Sequence, residues 1–201
     1  QVSYLSLPRE ENPALGLRGV RLCLRERTLF CEQIRAILRA SAHGKVALML
    51  PMIVSVDEVR ACRELINECM QTLASRTQDY DKDLEVGIMI ETPAAAIMCR
   101  ELAAEVDFFS VGTNDLLQYT LAADRQNPHV EALCRTGQEP VLRLIEAASR
   151  AIHEVGGWIG ICGEMAADLQ LIQRFADMRI DELSVSVPYL LGVRGRVNEC
   201  I

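Results

Sequence analysis

Val106-Asp107-Phe108-Phe109-Ser110-Val111-Gly112-Thr113-Asn114-Asp115 is the stretch that decides the fold. An apolar run too short for a helix ends in a glycine turn, and polar residues follow at once. The same grammar recurs on either side. Leu84 to Ile90 runs into Glu91-Thr92-Pro93, and Trp158-Ile159-Gly160-Ile161 runs into Cys162-Gly163. Three buried strands thus each deliver a reactive side chain at the C-terminal end, the edge where parallel α/β proteins bind ligands. Val46–Met52 and Glu182–Val187 read as two further strands.

Helical signals fill the gaps. Arg21 to Ala42 reads as one helix with Leu22, Leu29, Ile34, Ile37 and Leu38 on its inner face, ended by Gly44. Ser55 and Glu58 form a capping-box pattern, and the helix they open places Val56, Val59, Cys62, Leu65, Ile66, Cys69 and Leu73 on one face. Residues 75–83 read as a polar loop. Thr92 is an N-cap with Pro93 at the first helical position, opening a helix from Ala94 to Ala104. Asn114 to Ala123 reads as a short helix and residues 124–139 as a long polar loop. Pro140 opens a helix that Gly156-Gly157 ends, and Glu164 to Asp177 is the last helix. Residues 1–19, with Pro8 and Asn12-Pro13, read as irregular.

Five strand–helix alternations without a hairpin signal imply a parallel sheet with helices outside it. An open doubly wound sheet and a (β/α)8 barrel both fit. No Gly-x-Gly-x-x-Gly fingerprint follows a strand, which weakens the dinucleotide-binding version. Five strands are too few to close a barrel, which ordinarily takes about 250 residues. The barrel reading therefore expects the first strands to precede Gln1, where the chain begins without a methionine, as a cut inside a longer polypeptide would.

Composition narrows the classes of function. Half of the 201 residues are hydrophobic, which suffices for a large core. No run of eighteen apolar residues argues for a membrane span. A net charge of −7 and 4% aromatics leave no basic, base-stacking surface, so nucleic acid is not the expected partner. The eight cysteines lack CxxC or zinc-knuckle spacing. Several lie at helical spacing among apolar residues, the pattern of packing thiols in a reducing cytoplasm.

Among the strand-end residues, Glu91 and Asp115 can share one hard cation in the way Mg2+ prefers, with water and a ligand completing the shell. Taken singly, each carboxylate is better explained as a helix cap than as a metal ligand. Thr92 already supplies the capping oxygen beside Glu91, however, and that favours the metal. Arg125 can grip a phosphate or carboxylate with its guanidinium fork, beside an amide hydrogen bond from Asn114. Its plainer reading is a surface pair with Asp124. Cys162 is a thiol at a strand end followed by glycine, mostly protonated at neutral pH and able to donate a proton as well as to attack. His43, His129 and His153 show no ligand spacing.

Several segments are similar to the phosphoenolpyruvate-utilising enzymes: Asn12-Pro13-Ala14-Leu15-Gly16-Leu17-Arg18, Arg35-Ala36-Ile37-Leu38-Arg39-Ala40-Ser41, Glu91-Thr92-Pro93-Ala94-Ala95-Ala96, Asp107 to Leu116, and Cys162-Gly163-Glu164. The chain most resembles the C-terminal domain of the enzyme I family of the bacterial sugar phosphotransferase system, including its multiphosphoryl-transfer relatives, over nearly its whole length. The resemblance implies a (β/α)8 TIM-type barrel that binds phosphoenolpyruvate and Mg2+ at its C-terminal face, present over residues 1–201 as about the last five strand–helix units. It implies Glu91 and Asp115 as metal ligands, and Asn114, Asp115 and Arg125 as substrate contacts. Cys162 becomes the acid that protonates the enolate on the way to pyruvate. It further implies a phosphohistidine domain earlier in the same polypeptide, a downstream phosphocarrier protein, a homodimer and a cytoplasmic location. Arg18 is near the implied site but receives no assigned contact.

The chain departs from the family pattern at Thr136-Gly137-Gln138-Glu139, at Ala167, and at Asp177-Met178-Arg179, where a Gly-Met-Gly turn is usual. Those departures leave room for a degenerate barrel kept as a dimerisation or regulatory module. A Mg2+-dependent citrate-lyase-like or aldolase barrel is the rival enzyme.

Overall fold

The computed structural model describes residue 7 and residues 9–200; the irregular reading of residues 1–6 and Pro8 lies outside the described residues. Five parallel strands pair strictly in chain order. They are β1 (Ala47–Leu50), β2 (Glu85–Ile90), β3 (Phe108–Gly112), β4 (Trp158–Cys162) and β5 (Glu182–Leu183). A doubly wound sheet reverses its strand order at a switch point, whereas a barrel adds each strand on the same side. The order here never reverses. With right-handed crossovers every connecting helix then lies on one face of the sheet, as in a sector of a TIM-type barrel wall.

The pleat sorts the side chains. Leu48, Leu50, Val86, Ile88, Ile90, Phe109, Val111, Ile159 and Ile161 are buried toward the helices. The alternate residues, including Met49, Met89, Phe108, Ser110 and Trp158, point to the other face, where Met49 is 37% exposed. Phe108 and Trp158 are register partners and stack there, with ring centroids 4.4 Å apart. Opposite Phe108 stands Gly87, where any Cβ would fall 2.5 Å from the phenyl ring.

The best-specified helix is α3 (Val56–Ser75). The Ser55 hydroxyl accepts the Glu58 amide and the Glu58 carboxylate accepts the Ser55 amide, a complete capping box, and the six residues from Val59 to Leu73 that were expected to face the core are buried. Thr92 caps α4 (Pro93–Ile97) through the Ala95 amide. The long helix α8 (Gln138–Glu154) begins two residues before Pro140 and buries Val141, Leu142, Ile145, Ala148 and Ile152.

Elsewhere the outline differs from the sequence reading. The helix expected over 21–42 is two, α1 (Val20–Arg25) and α2 (Arg27–Ser41), bent at Glu26 with φ −96 and ψ 57. The i to i−4 bonds from Glu26 to Leu22 and from Phe30 to Glu26 survive, so it is a bend rather than a stop. Phe30, Ile34 and Leu38 form the buried stripe of α2, and Leu29 is 39% exposed. The helix over 94–104 bends likewise at Met98 into α4 and α5 (Cys99–Ala103). Strand β1 stops at Leu50 because Pro51 cannot donate to a ladder and Met52 turns left-handed at φ +61.

Part of the long loop is helical, since α7 (Glu131–Thr136) follows α6 (Thr113–Leu121) after a nine-residue turn region. The expected helix 164–177 is a 3-10 turn, Glu164–Ala167, and a short α9 (Ile172–Asp177). Strand β5 holds only two residues, and α10 (Leu190–Cys200) was not expected at all.

Candidate functional site at the strand ends

Register places the reactive residues at one level. Gly112 pairs with Cys162, and Val111 pairs with Ile90 on one side and Ile161 on the other. Glu91 therefore stands beside Gly112, just past the end of β2, and Glu91 and Cys162 share the face of the sheet away from the helices. The absence of a side chain at Gly112 is what lets Glu91 lie there. A Cβ at Gly112 would sit 2.9 Å from Glu91 Cβ and 3.0 Å from its Oε2.

Glu91 is only 6% exposed. Its Oε1 accepts the Met52 amide at 2.7 Å, so the left-handed turn after β1 aims a backbone donor at it. Its neighbour Thr92 donates to the Ile53 carbonyl at 2.8 Å. Burial pushes the Glu91 carboxyl above its ordinary range; the Met52 bond and Arg18 pull it down, and the nearby Asp115 charge pushes it up.

Asp115 lies in the first turn of α6, where its Oδ2 accepts Arg18 Nη2 at 2.9 Å, and the same guanidinium reaches the Tyr119 hydroxyl at 3.1 Å. Arg18 is held in place from the other side. Tyr119 donates to the Ala14 carbonyl, Arg21 to the carbonyls of Leu15 and Gly16, and the Val20 amide to Pro51. Gly19, at φ +56, has no room for a side chain, since a Cβ would meet Met52 Cβ at 2.6 Å. The segment 12–20 is thus fastened over the end of β1, and its arginine closes onto Asp115. Sequence reasoning left Arg18 without a contact. No periodicity or spacing points to Asp115 from 97 positions away, and the only signal was the similarity of the segment around it.

Cys162 is half-buried. Its thiol donates toward the Val111 carbonyl at 3.4 Å and receives a weak contact from Ser110 Oγ at 3.9 Å. Burial raises its pKa, the Ser110 contact lowers it, and Glu91 and Glu182 raise it further. The group is a thiol, not a thiolate, at neutral pH. Thr113 Oγ1 donates to the Cys162 carbonyl at 2.7 Å, and Asn114 Oδ1 accepts the Glu164 amide at 3.0 Å. Asn114 therefore ties the turn after β4 to α6 with its carbonyl end; the amide nitrogen is the end outside that bond. Gly163, at φ +92, permits this approach, because a Cβ would fall 2.4 Å from Thr113 Oγ1.

A cavity of about 1010 Å3 opens beside these groups, lined by Arg18, Asp115, Tyr119 and Arg125 among others. Arg125 is exposed at its wall, and its amide donates to Gln118 Oε1 at 3.3 Å. Glu91 and Cys162 do not line this cavity; they stand on the neighbouring strand ends. The structure thus brings Glu91, Asp115 and Arg18 together, sets Cys162 within electrostatic reach of Glu91, and leaves Arg125 on the outer wall. Among the described residues no group of three or more His, Cys, Asp or Glu is arranged to hold a metal. A cation at Glu91 and Asp115 would take two hard oxygen donors from the protein and the rest from water or a ligand, which fits Mg2+.

One other constellation invites misreading. Ser149, His153 and Asp181 have the composition of a hydrolytic triad, with Ser149 Oγ 3.4 Å from His153 Nδ1 and His153 Nε2 2.9 Å from Asp181 Oδ2. Ser149 is 1% exposed and donates to the Met178 carbonyl at 2.6 Å, and Asp181 also accepts the Ile159 amide. The chain fastens α8 to the turn before β5 and has no access to a substrate.

Comparison with known proteins completes the picture. The profile of the PEP-utilising enzymes' PEP-binding domain matches residues 1–200. A phosphoenolpyruvate-protein phosphotransferase of Staphylococcus aureus is 43% identical over 198 residues, 98% of this chain and 35% of the relative. One from Bacillus subtilis (strain 168) is 43% identical over 199 residues, 99% of this chain and 35% of the relative. The chain thus spans about a third of the length of these relatives. Among solved structures, a citrate lyase from Burkholderia xenovorans LB400 superposes with TM-score 0.62 at 18% identity, over 86% of this chain and 55% of that one. RipC from Yersinia pestis gives 0.56 at 14% identity, over 83% and 69%. At such identities these two structures speak for the fold alone.

Proposed function

The chain belongs to the PEP-utilising enzymes, by way of their PEP-binding domain, and from that we propose that it is the substrate-binding barrel segment of a phosphotransferase. The parent enzyme moves the phosphoryl group of phosphoenolpyruvate to a protein histidine and releases pyruvate, in sugar uptake. The acceptor histidine belongs to a separate domain of the same polypeptide and passes the group to a phosphocarrier protein. The whole works as a cytoplasmic homodimer, and the first barrel strands precede Gln1.

The observation that carries the reading is the buried Glu91 carboxylate, level with Cys162 and within reach of Asp115 and Arg18 at the ends of neighbouring strands. Glu91 and Asp115 would hold Mg2+, which supplies charge to the phosphoryl oxygens and to the enolate. Arg125 and Arg18 add guanidinium charge at the cavity wall, and the Asn114 amide and Asp115 backbone orient the ligand. Cys162, kept as a thiol by burial and by Glu91, delivers a proton to the methylene carbon. The enolate thereby becomes pyruvate, which drives transfer forward. The Met52 amide and Gly112 hold Glu91 at its station.

In the intact polypeptide, Glu91→Gln and Asp115→Asn are expected to reduce phosphorylation by labelled phosphoenolpyruvate ~1000-fold, the scale of losing one well-placed electrostatic group. They should also abolish Mg2+-dependent binding of phosphoenolpyruvate in calorimetry. Undiminished phosphorylation in both variants sinks the metal assignment. Absence of phosphoenolpyruvate binding in calorimetry of the intact wild-type polypeptide with Mg2+ would point instead to a degenerate barrel kept as a dimerisation or regulatory module.

A further inference from the structure

Outside the strand-end site, the chain concentrates thiols on one seam. Cys31 on α2 and Cys69 on α3 face each other across the two parallel helices, and Cys69 Sγ lies 3.6 Å from the Cys31 carbonyl oxygen. The Cys31 thiol and the Arg35 guanidinium are both near enough to Cys69 to act on it electrostatically. One rung earlier, Cys23 on α1 neighbours Cys62 on α3. The rungs are eight residues apart on one side and seven on the other, about two helical turns each. All four thiols are free.

The two members of the upper rung differ in access. Cys31 is half-exposed, whereas Cys69 is 1% exposed. A disulfide needs its two main chains side by side, and the 3.6 Å contact of the Cys69 sulfur with the Cys31 carbonyl oxygen is a meeting of that kind. The lower rung is less suited. Cys62 is fully buried and its thiol is pushed up to about 12, chiefly by burial, whereas Cys69 is pushed up to about 11 and has the Arg35 guanidinium to offset its thiolate.

We propose that Cys31 and Cys69 are a reversible dithiol–disulfide pair that clamps α2 to α3 when the protein meets a low-molecular-weight disulfide. The Cys31 thiolate attacks the small disulfide, forming a mixed disulfide and releasing one small thiolate. The Cys69 thiolate then attacks Cys31 Sγ, forming the protein disulfide and expelling the second small thiolate. The protein loses two protons and two electrons, and one small disulfide becomes two thiols. Because Cys69 is buried and poorly ionised, the second step is the slow one.

The test uses the intact polypeptide and glutathione disulfide, with trypsin mapping under non-reducing conditions. Cleavage after Arg27, Arg35, Arg63 and Arg76 leaves Cys31 and Cys69 in separate peptides of one cysteine each. The native protein is expected to yield these two peptides joined, two hydrogen masses below their sum, and dithiothreitol should separate them. Cys69→Ser should trap Cys31 as the glutathione adduct. Three results would overturn the proposal: a joined Cys23–Cys62 pair in place of this one, joining seen only in denaturant, or a wild type that accumulates the Cys31 adduct without closing the bridge.

Discussion

Met52 and Arg179 adopt nearly the same left-handed backbone, φ +61 and +60, at two different turns of one sheet. After β1, the Met52 turn directs its amide at Glu91, packs its own side chain to 3% exposure and receives the close approach of Gly19. After α9, the Arg179 turn closes the helix. The Arg179 amide bonds Ala176 and the Ile180 amide bonds Phe175, a Schellman-type stop whose left-handed position ordinarily carries glycine. The arginine side chain is exposed. Strain at the first turn is tied to the placement of a buried carboxylate, whereas the second turn is fastened only to α8, through Ser149 and the Met178 carbonyl, and directs nothing at the strand-end site. The departures from the family pattern at 177–179 thus fall where the fold can absorb them, and the strand ends are left intact.

The sharpest way to test the functional side of that contrast is Cys162→Ala. In the intact polypeptide, removing the general acid proposed above should slow pyruvate formation ~100-fold or more, with phosphoenolpyruvate binding in calorimetry little changed. Lost binding with unaltered turnover of bound ligand would remove Cys162 from the chemistry. The structural side is tested by Gly19→Ala. A Cβ there meets Met52 at 2.6 Å on a left-handed backbone, so about 2–4 kcal/mol of destabilisation is expected from strain and overpacking together. Denaturant melts showing no loss would mean that the Met52 turn is looser than its contacts imply.

Glu91 supplies a smaller, pH-dependent effect. Its carboxyl is raised in the folded state, so the folded protein binds the extra proton, and stability falls as pH rises from the unfolded carboxylate range through the raised value. In metal-free buffer, Glu91→Gln should therefore lose less stability than the wild type between acid and neutral pH. Parallel melting curves for the two proteins across that range would contradict the buried, charge-crowded setting of this carboxylate.

What the sequence disclosed follows the same division. The Ser55–Glu58 box, the Thr92–Pro93 start and the strand runs were legible because each is a local pattern with a local cause. The level shared by Glu91 and Cys162 followed from strand-end position alone, once the strands were known to be parallel and sequential. The bends at Glu26 and Met98 left no mark, since neither proline nor glycine is present and the hydrogen bonds continue through both. Helix α10 buries only Val193 and exposes Leu190 and Leu191, so it has no periodic face to read. The Arg18–Asp115 pair is set by the path of a loop, which no periodicity encodes.

Arg179→Gly is the smallest effect and the one that isolates the second turn. Glycine adopts the left-handed region without the Cβ–carbonyl clash that costs other residues about 1–2 kcal/mol. The unfolded chain gains freedom with glycine, which returns part of that. Among the described residues the exposed Arg179 side chain has no hydrogen bond or ion pair to give up, so the net expectation is about 1 kcal/mol of stabilisation, or a melting temperature about 2–4 °C higher for a domain of this size. The equivalent change at the first turn, Met52→Gly, should go the other way. It relieves the same backbone strain and keeps the amide on Glu91, but it empties a side chain that is 3% exposed, costing about 2–5 kcal/mol. If both substitutions moved stability in the same direction, the left-handed angle alone would govern the two turns, and the distinction drawn from what each one holds would fail.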